Sequence, residues 1–353
     1  MKKALVSCSL LVFVLLTTQT VFGITIDLSE RKMTVNDGRD DSAIVQKAIT
    51  DVLAGGGGTV IFPPGVTDIN TGIAVAPEYY KPVNLILKGD GGSVIRISVG
   101  SKGTAFGFGN LNQLKIANLV FTGKNVPIGN PEFIDARYVF FIGYVAVTTI
   151  QETSFFGIAV PSGGSIIQAA TNLTVDNCQF EGLNAAYPDG AVIGLDCCTS
   201  HGQNATISHS TFVDYGFFGD QYYSKTPAFT ANWIKAKQVY YLGSTINQRL
   251  TVEDTFFDEG AAVAINAQNI GAVILRGLKI NINGTAYGTG LKLDNIARAR
   301  IEDTVFGYAA GPRPLGILSK SNVQMIGVTR TQGVQCPTMD AQTTINWTLS
   351  DCE

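Results

Sequence analysis

Ile116-Ala-Asn118-Leu-Val-Phe121, Ile150-Gln-Glu152-Thr-Ser-Phe155 and Val175-Asp-Asn177-Cys-Gln-Phe180 are three copies of one six-residue pattern: apolar, any, turn-former, any, any, aromatic. It continues at 207–212, 252–257, 275–280, 301–306 and 325–330. The third column reads Asn118, Glu152, Asn177, His209, Asp254, Gly277, Asp303 and Gly327. Except for Glu152, these residue types most readily enter the left-handed backbone region, as a tight bend between two short strands demands. The sixth column is nearly all Phe, which fits one aromatic ring stacked on its equivalent a turn above.

Third-column spacings are 34, 25, 32, 45, 23, 26 and 24 residues. A period in the low to middle twenties is that of a solenoid with one coil per repeat. Each coil then holds three short strands, whose backbone groups pair with the coils above and below. No second helical period alternates with the strands, which argues against a doubly wound α/β fold. The leucine/asparagine consensus of a leucine-rich horseshoe is missing. The expected fold is all-β, a single-stranded right-handed parallel β-helix with an N-terminal capping helix.

That helix is read from residues 36–70, NDGRDDSAIVQKAITDVLAGGGGTVIFPPGVTDIN. Asp41-Ser42 supplies N-cap chemistry, and Ile44, Val45, Ala48, Ile49, Val52 and Leu53 recur on one helical face. Gly55-Gly-Gly-Gly58 ends the helix, and Thr59-Val-Ile-Phe62 follows as a strand stopped by Pro63-Pro64-Gly65. A lone amphipathic helix must cover something, here the open end of the stack. The combination N-D-G-x-D-D-S-x-x-x-Q-x-A-I with G-G-G-x-V-x-F-P-P-G resembles the N-terminal segment of the pectate-lyase-like superfamily of right-handed parallel β-helix proteins. Rhamnogalacturonase, epimerase-like and phage depolymerase members carry such a segment. Here Ser29-Glu-Arg-Lys-Met33 replaces the usual aspartate–aromatic–glycine–alanine lead-in. The resemblance implies the fold and a polysaccharide as the class of substrate, without implying a reaction.

Met1-Lys2-Lys3, an apolar run over 4–16 and Val21 and Gly23 at the −3 and −1 positions read as a cleaved export signal over residues 1–23. The run falls short of the about 20 apolar residues that span a bilayer. Residues 24–334 are expected to form the β-helix, with 335–353 as a tail that Cys336 and Cys352 staple by a disulfide. The expected location is extracellular, or periplasmic in a Gram-negative source, with no membrane contact after signal removal. Net charge is −3 with 15% charged residues and no basic stripe, which excludes nucleic acid as a natural partner. Oligomeric state is not legible.

Intervals of 34, 32 and 45 exceed one coil by roughly 10, 8 and 20 residues, and insertions in a solenoid project as loops where sites are built. The largest holds Tyr222, Tyr223 and Trp233, aromatics suited to stacking on sugar rings. Aligning Ile193-Gly-Leu-Asp196, Ile234-Lys-Ala-Lys237, Val263-Ala-Ile-Asn266 and Leu291-Lys-Leu-Asp294 turns the apolar residues inward. Asp196, Lys237, Asn266 and Asp294 then form one outward column, and Gly194, Lys235, Ala264 and Lys292 another. Asp189 and Asp214 lie in the loops leading to this surface. Two reactions fit an acidic polysaccharide. A hydrolase needs a proton-donating and a water-activating carboxylate, Asp196 with Asp189 or Asp214. A lyase needs a basic proton acceptor and a cation for the uronate carboxylate, for which Lys235, Lys237 and Arg249 qualify. His201, in a loop after a predicted strand, is a further catalytic candidate, whereas His209 reads as a bend residue. No metal site is expected: Cys197-Cys198 with His201 is too compressed for zinc, and no loop has a calcium signature. Calcium enters only if the reaction is elimination. A non-catalytic glycan-binding or adhesion module is the alternative.

Overall fold

The structure is a computed structural model that describes residues 23–75, 83–124, 134–161, 164–181, 184–185, 191–195, 204–213, 216–217, 237–242, 248–257, 263–282, 289–307, 313–331, 333–347 and 352. The segment read as an export signal lies outside these residues. Among those described, no helix is long and apolar enough to cross a membrane.

One coil shows the plan. Val263–Gln268 forms face 1, Asn269 turns the chain with φ 56°, and Ala272–Arg276 forms face 2. Gly277 turns it again with φ 62°, and Lys279–Ile280 forms face 3. The next coil repeats this with Thr289–Asp294, Arg298–Glu302 and Val305–Phe306, all in parallel register. All eight third-column residues sit at positive φ, between 44° and 62°. Glu152 is among them at 49°, held there by ladder bonds on both sides rather than by its own preference.

Inside, Phe121, Phe155, Phe180, Phe212 and Phe257 form the predicted column, with successive ring centroids 5.2, 4.9, 4.6 and 4.9 Å apart. Such stacking adds about 0.5–1.5 kcal/mol per pair beyond the burial itself. The fourth column, from Leu119 to Val328, is buried too. Its hydroxyls return to the backbone: Thr153, Ser210, Thr255 and Thr304 each donate to the carbonyl two residues before, at 2.7–2.9 Å. Cys178 belongs to this column, and burial pushes its thiol up to about 12, so it stays protonated and inert.

The helix spans Ser42–Ala54 and buries Val45, Ala48, Ile49, Val52 and Leu53. Its contacts run to Ile24–Asp27, Gly58–Phe62, Ile73–Val75 and Val83–Gly89, all in the first turns of the stack. The Gln46 side chain completes the packing by pairing with both backbone groups of Ala74, at 2.9 and 3.1 Å. The capping chemistry differs from the sequence reading. Asp40, not Asp41, accepts the Ser42 N–H, while Asp41 turns to accept the Asp68 N–H in the strand alongside. The glycine run is needed for close approach as much as for helix termination. A Cβ on Gly58 would lie 1.9 Å from the Ile24 carbonyl oxygen, and its φ is 147°. At the other end the disulfide Cys336–Cys352 is present. The ladder continues past the last hexad, with Thr338–Met339 and Thr344–Trp347 pairing on the previous coil.

Candidate functional site

Face 1 presents an outward column whose register runs Gly107, Phe141, Gln168, Gly194, Tyr240, Asn266, Lys292, Ile317. At about 4.8 Å per coil it extends roughly 34 Å. Phe141 and Lys292 are half-buried, but between them Gln168 and Asn266 are only 7% and 2% exposed. This covered stretch coincides with the part of the chain that contains two of the long intervals. Polar side chains on the outer surface of a sheet are ordinarily wet; here amides and hydroxyls are enclosed. Ser165 donates to Gln168 Oε1 at 2.9 Å, Gln268 Nε2 donates to Asn266 Oδ1 at 2.9 Å, and buried Thr289 donates to the Pro314 carbonyl at 3.0 Å. Gly194 makes the arrangement possible, because a Cβ there would sit 2.6 Å from Gln168 Oε1. Beside this column Ala105, Val139, Ile166, Val192 and Ala264 point outward yet are buried. Short strands Ala159–Val160, Asn184–Ala185 and Gly216–Phe217 follow face 3 on three successive coils and pair as a separate small sheet. The first of them contacts the strand Ala136–Gln151, which runs through face 1 and on into face 2.

The structure redraws the columns expected from sequence. Lys237 pairs with Ala191 and Val263, Asn266 with Lys292, and Asp294 with Gln268 and Ser319. Lys237, Asn266 and Asp294 therefore do not share a column. The shift is two residues for Asp294, which keeps its outward parity, and three for Lys237, whose register partner is Val263 instead of Asn266. Ala264 is outward as expected but buried, two residues short of the Gly194–Lys292 column, whose member on that strand is Asn266. Arg249 is on face 2, paired with Asn204 and Ala272, and so turns away from face 1. Asn266, Lys292 and Asp294 remain neighbours on one patch. Asp189, Asp196, Asp214, Lys235, His201, Tyr222, Tyr223 and Trp233 lie outside the described residues, as do Cys197 and Cys198.

Ionisable groups concentrate elsewhere. At the bend between faces 2 and 3, His209 Nδ1 lies 2.7 Å from Asp176 Oδ1 and Nε2 lies 3.8 Å from Asp254 Oδ2, on the coils before and after. The hydrogen bond to Asp176 holds the imidazole above its usual pKa, and the same bond holds Asp176 below the ordinary carboxylate range. Ser208 also donates to Asp176, so its hydroxyl is not aimed at the imidazole and no nucleophilic triad results. Further along, Arg276 bridges Glu253 and Glu302, each at 3.1 Å, and Arg300 also pairs with Glu302. Neither pair offers a carboxyl kept protonated for acid catalysis. Asp135 has the opposite environment: burial pushes it up to about 6, although the Lys124 and Ala159 N–H groups each donate to it at 2.8 Å. Its oxygens are occupied by backbone, so it fastens three coils together. Among the described residues no three His, Cys, Asp or Glu side chains converge closely enough to hold a cation.

No protein-family model matches this sequence, and no curated protein matches it significantly. Among solved structures, the Streptococcus pneumoniae surface protein and adhesin PfbA superposes with a TM-score of 0.53 at 13% identity, over 92% of this chain and all of that one. The chain has the right-handed parallel β-helix fold. Weaker likenesses include the A-module of the Azotobacter vinelandii mannuronan C-5 epimerase AlgE4 (TM-score 0.44, 13% identity, 91% of this chain and 99% of that one). Tailspike protein 3 of bacteriophage CBA120 is another (TM-score 0.46, 11% identity, 93% and 60%). At these identities the likeness is one of fold alone.

Sequence reasoning passed over Phe141, Ser165 and Gln168 on this β-helix because Tyr144 stands at the bend where Asn110, Asn269 and Asn295 mark the end of face 1 in other coils. It saw His209 as a bend residue, which it is, and missed the carboxylates that the stacking brings to both sides of it.

Proposed function

We propose that this protein is an exported enzyme that acts on an acidic extracellular polysaccharide along face 1. The observation that carries the reading is the enclosed polar stretch from Gln168 to Asn266. Neutral amides and hydroxyls that both donate and accept suit the hydroxyl-rich edge of a sugar chain. Lys292 at one end offers a cation to a uronate carboxylate. The reacting groups come from the flanking chain: Asp189 and Asp196 directly before and after the strand Ala191–Leu195, Asp214, Lys235, Lys237 and His201. For hydrolysis with inversion, two of the carboxylates stand about 6.5–9.5 Å apart, one donating a proton to the leaving oxygen and one activating water. For elimination, Lys235 or Lys237 removes the proton beside the uronate carboxylate, and calcium then becomes a reasonable helper.

The test is a screen of the purified protein on polygalacturonate, rhamnogalacturonan, alginate and bacterial exopolysaccharides. Ultraviolet absorbance from unsaturated ends marks elimination, and reducing ends without it mark hydrolysis. Loss of either activity in Asp196→Asn with the fold intact supports the assignment; unchanged activity removes Asp196 from it. Binding without turnover on every substrate supports the second reading, a glycan-binding surface module.

A further inference from the structure

The coil that begins with Ala136–Gln151 projects side chains unlike those of the coils beside it. Phe141 stands in the outward column between Gly107 and Gln168, and Tyr138 lies in register with Thr104 and Ser165. The two rings are 5.4 Å apart and tilted by 49°. Gly107 leaves the approach to Phe141 open on one side: even a Cβ there would meet nothing nearer than 3.8 Å. Three residues on, Tyr144 occupies the bend from face 1 to face 2 with φ 56° and is 71% exposed. Of the equivalent bends, Asn110, Asn269 and Asn295 use asparagine, the residue that tolerates this conformation, and Lys320 uses a flexible lysine. A bulky aromatic in the left-handed region, with most of its surface in water, serves neither the bend nor the core, and strained positions of this kind collect at ligand sites.

Charge identifies the occupant. The exposed Arg137 guanidinium lies 5.2 Å from the centre of the Tyr138 ring, and Lys102 is exposed on the adjacent strand. The nearest acid along the chain, Asp135, is buried and holds two backbone N–H groups. A planar guanidinium presents its donors to a carboxylate in paired fashion.

We propose that Tyr138, Phe141 and Tyr144, with Arg137, form a sugar-binding platform that takes a uronate-containing oligosaccharide at the open end of the enclosed stretch. Phe141 and Tyr144 are separated by about 10 Å of strand, the reach of a disaccharide, so sugar units two apart along the chain stack on the two rings. Arg137 selects the unit that bears a carboxylate. The platform deepens the polysaccharide reading above and rests on it.

The experiment is calorimetric titration of the full-length protein with oligogalacturonate, oligoalginate and a neutral cello-oligosaccharide of equal length. Tyr144→Asn, which installs the residue found at Asn110, Asn269 and Asn295, and Phe141→Ala should each weaken binding of the acidic oligosaccharides about tenfold. Arg137→Gln should erase the preference for acidic over neutral chains. Because Tyr144 is exposed, Tyr144→Asn leaves the thermal midpoint unchanged or higher and reads binding alone. Binding by the natural protein that persists undiminished in all three variants overturns the platform and leaves the polysaccharide reading standing. Absence of binding by the natural protein to every acidic oligosaccharide overturns both.

Discussion

On the same run of coils, the outward column of face 1 reads Gln168, Gly194, Asn266 and Lys292, while the edge of face 2 reads Asp176, Ser208, Glu253, Arg276 and Glu302. Both columns repeat at the ladder spacing of about 4.8 Å. The first is nearly uncharged and enclosed; the second is charged and mostly wet, and its members answer one another from coil to coil. A charge in a stacked ladder faces its own equivalents above and below, so like charges repel unless an opposite one intervenes. Arg276 between Glu253 and Glu302, and His209 between Asp176 and Asp254, meet that requirement. Density of ionisable residues therefore marks the seam that holds the coils together, and the sparsely charged face is the one proposed for the glycan.

The comparison can be broken most severely from inside, because both faces hang on the same Phe column. Phe180→Ala should cost about 3–5 kcal/mol in urea unfolding. A loss below about 1 kcal/mol would mean that the aromatic stack carries little of the stability. Asp135 provides the next largest effect. Its folded value of about 6 lies above 3.8, so between these the folded chain holds more protons than the unfolded one and stability falls as pH rises through that window. The full difference is on the order of 2–3 kcal/mol. In Asp135→Asn that slope should vanish from the unfolding profile.

Smaller again is Gly194→Ala, which drives a methyl against the Gln168 amide and should cost about 1–2 kcal/mol together with glycan binding or turnover. Adding Gln168→Ala should restore most of the stability and none of the function. Recovery of both would show that Gln168 only packs. The least effect is expected at the seam. His209→Asn keeps a bend-tolerant residue and removes the charge. The difference from the natural protein should be full below the imidazole's ordinary 6.5 and fade as pH rises through the raised folded value. It should fade again at low pH, as Asp176 protonates below 3.8. Glycan affinity should not change across the series, and a parallel loss of affinity would place the seam inside the site.

Much of the molecule was legible without coordinates. Bend residues other than Glu152 are chosen by their own backbone preferences, and the stacking position is Phe in six of the eight hexads, so both columns survive as a pattern in one dimension. The helix was legible from its apolar face. Its cap was not, because Asp40 and Asp41 are equal candidates until the strand beside them claims Asp41 through the Asp68 N–H.

By itself, then, the sequence determined the solenoid, the bends from Asn118 to Gly327, the stacked Phe interior and the Cys336–Cys352 pairing, because each depends on local preference or on composition at a fixed repeat. Tertiary structure alone decided which residues share a column on face 1. The connections into that face vary in length, and the bend that closes it is Asn110, Tyr144, Asn269, Asn295 or Lys320 and not one residue type, so the register could not be carried from coil to coil. Only the stacked coils set Asn266 beside Lys292, enclosed Gln168 over Gly194 and brought Asp176 to His209 across 33 residues of chain.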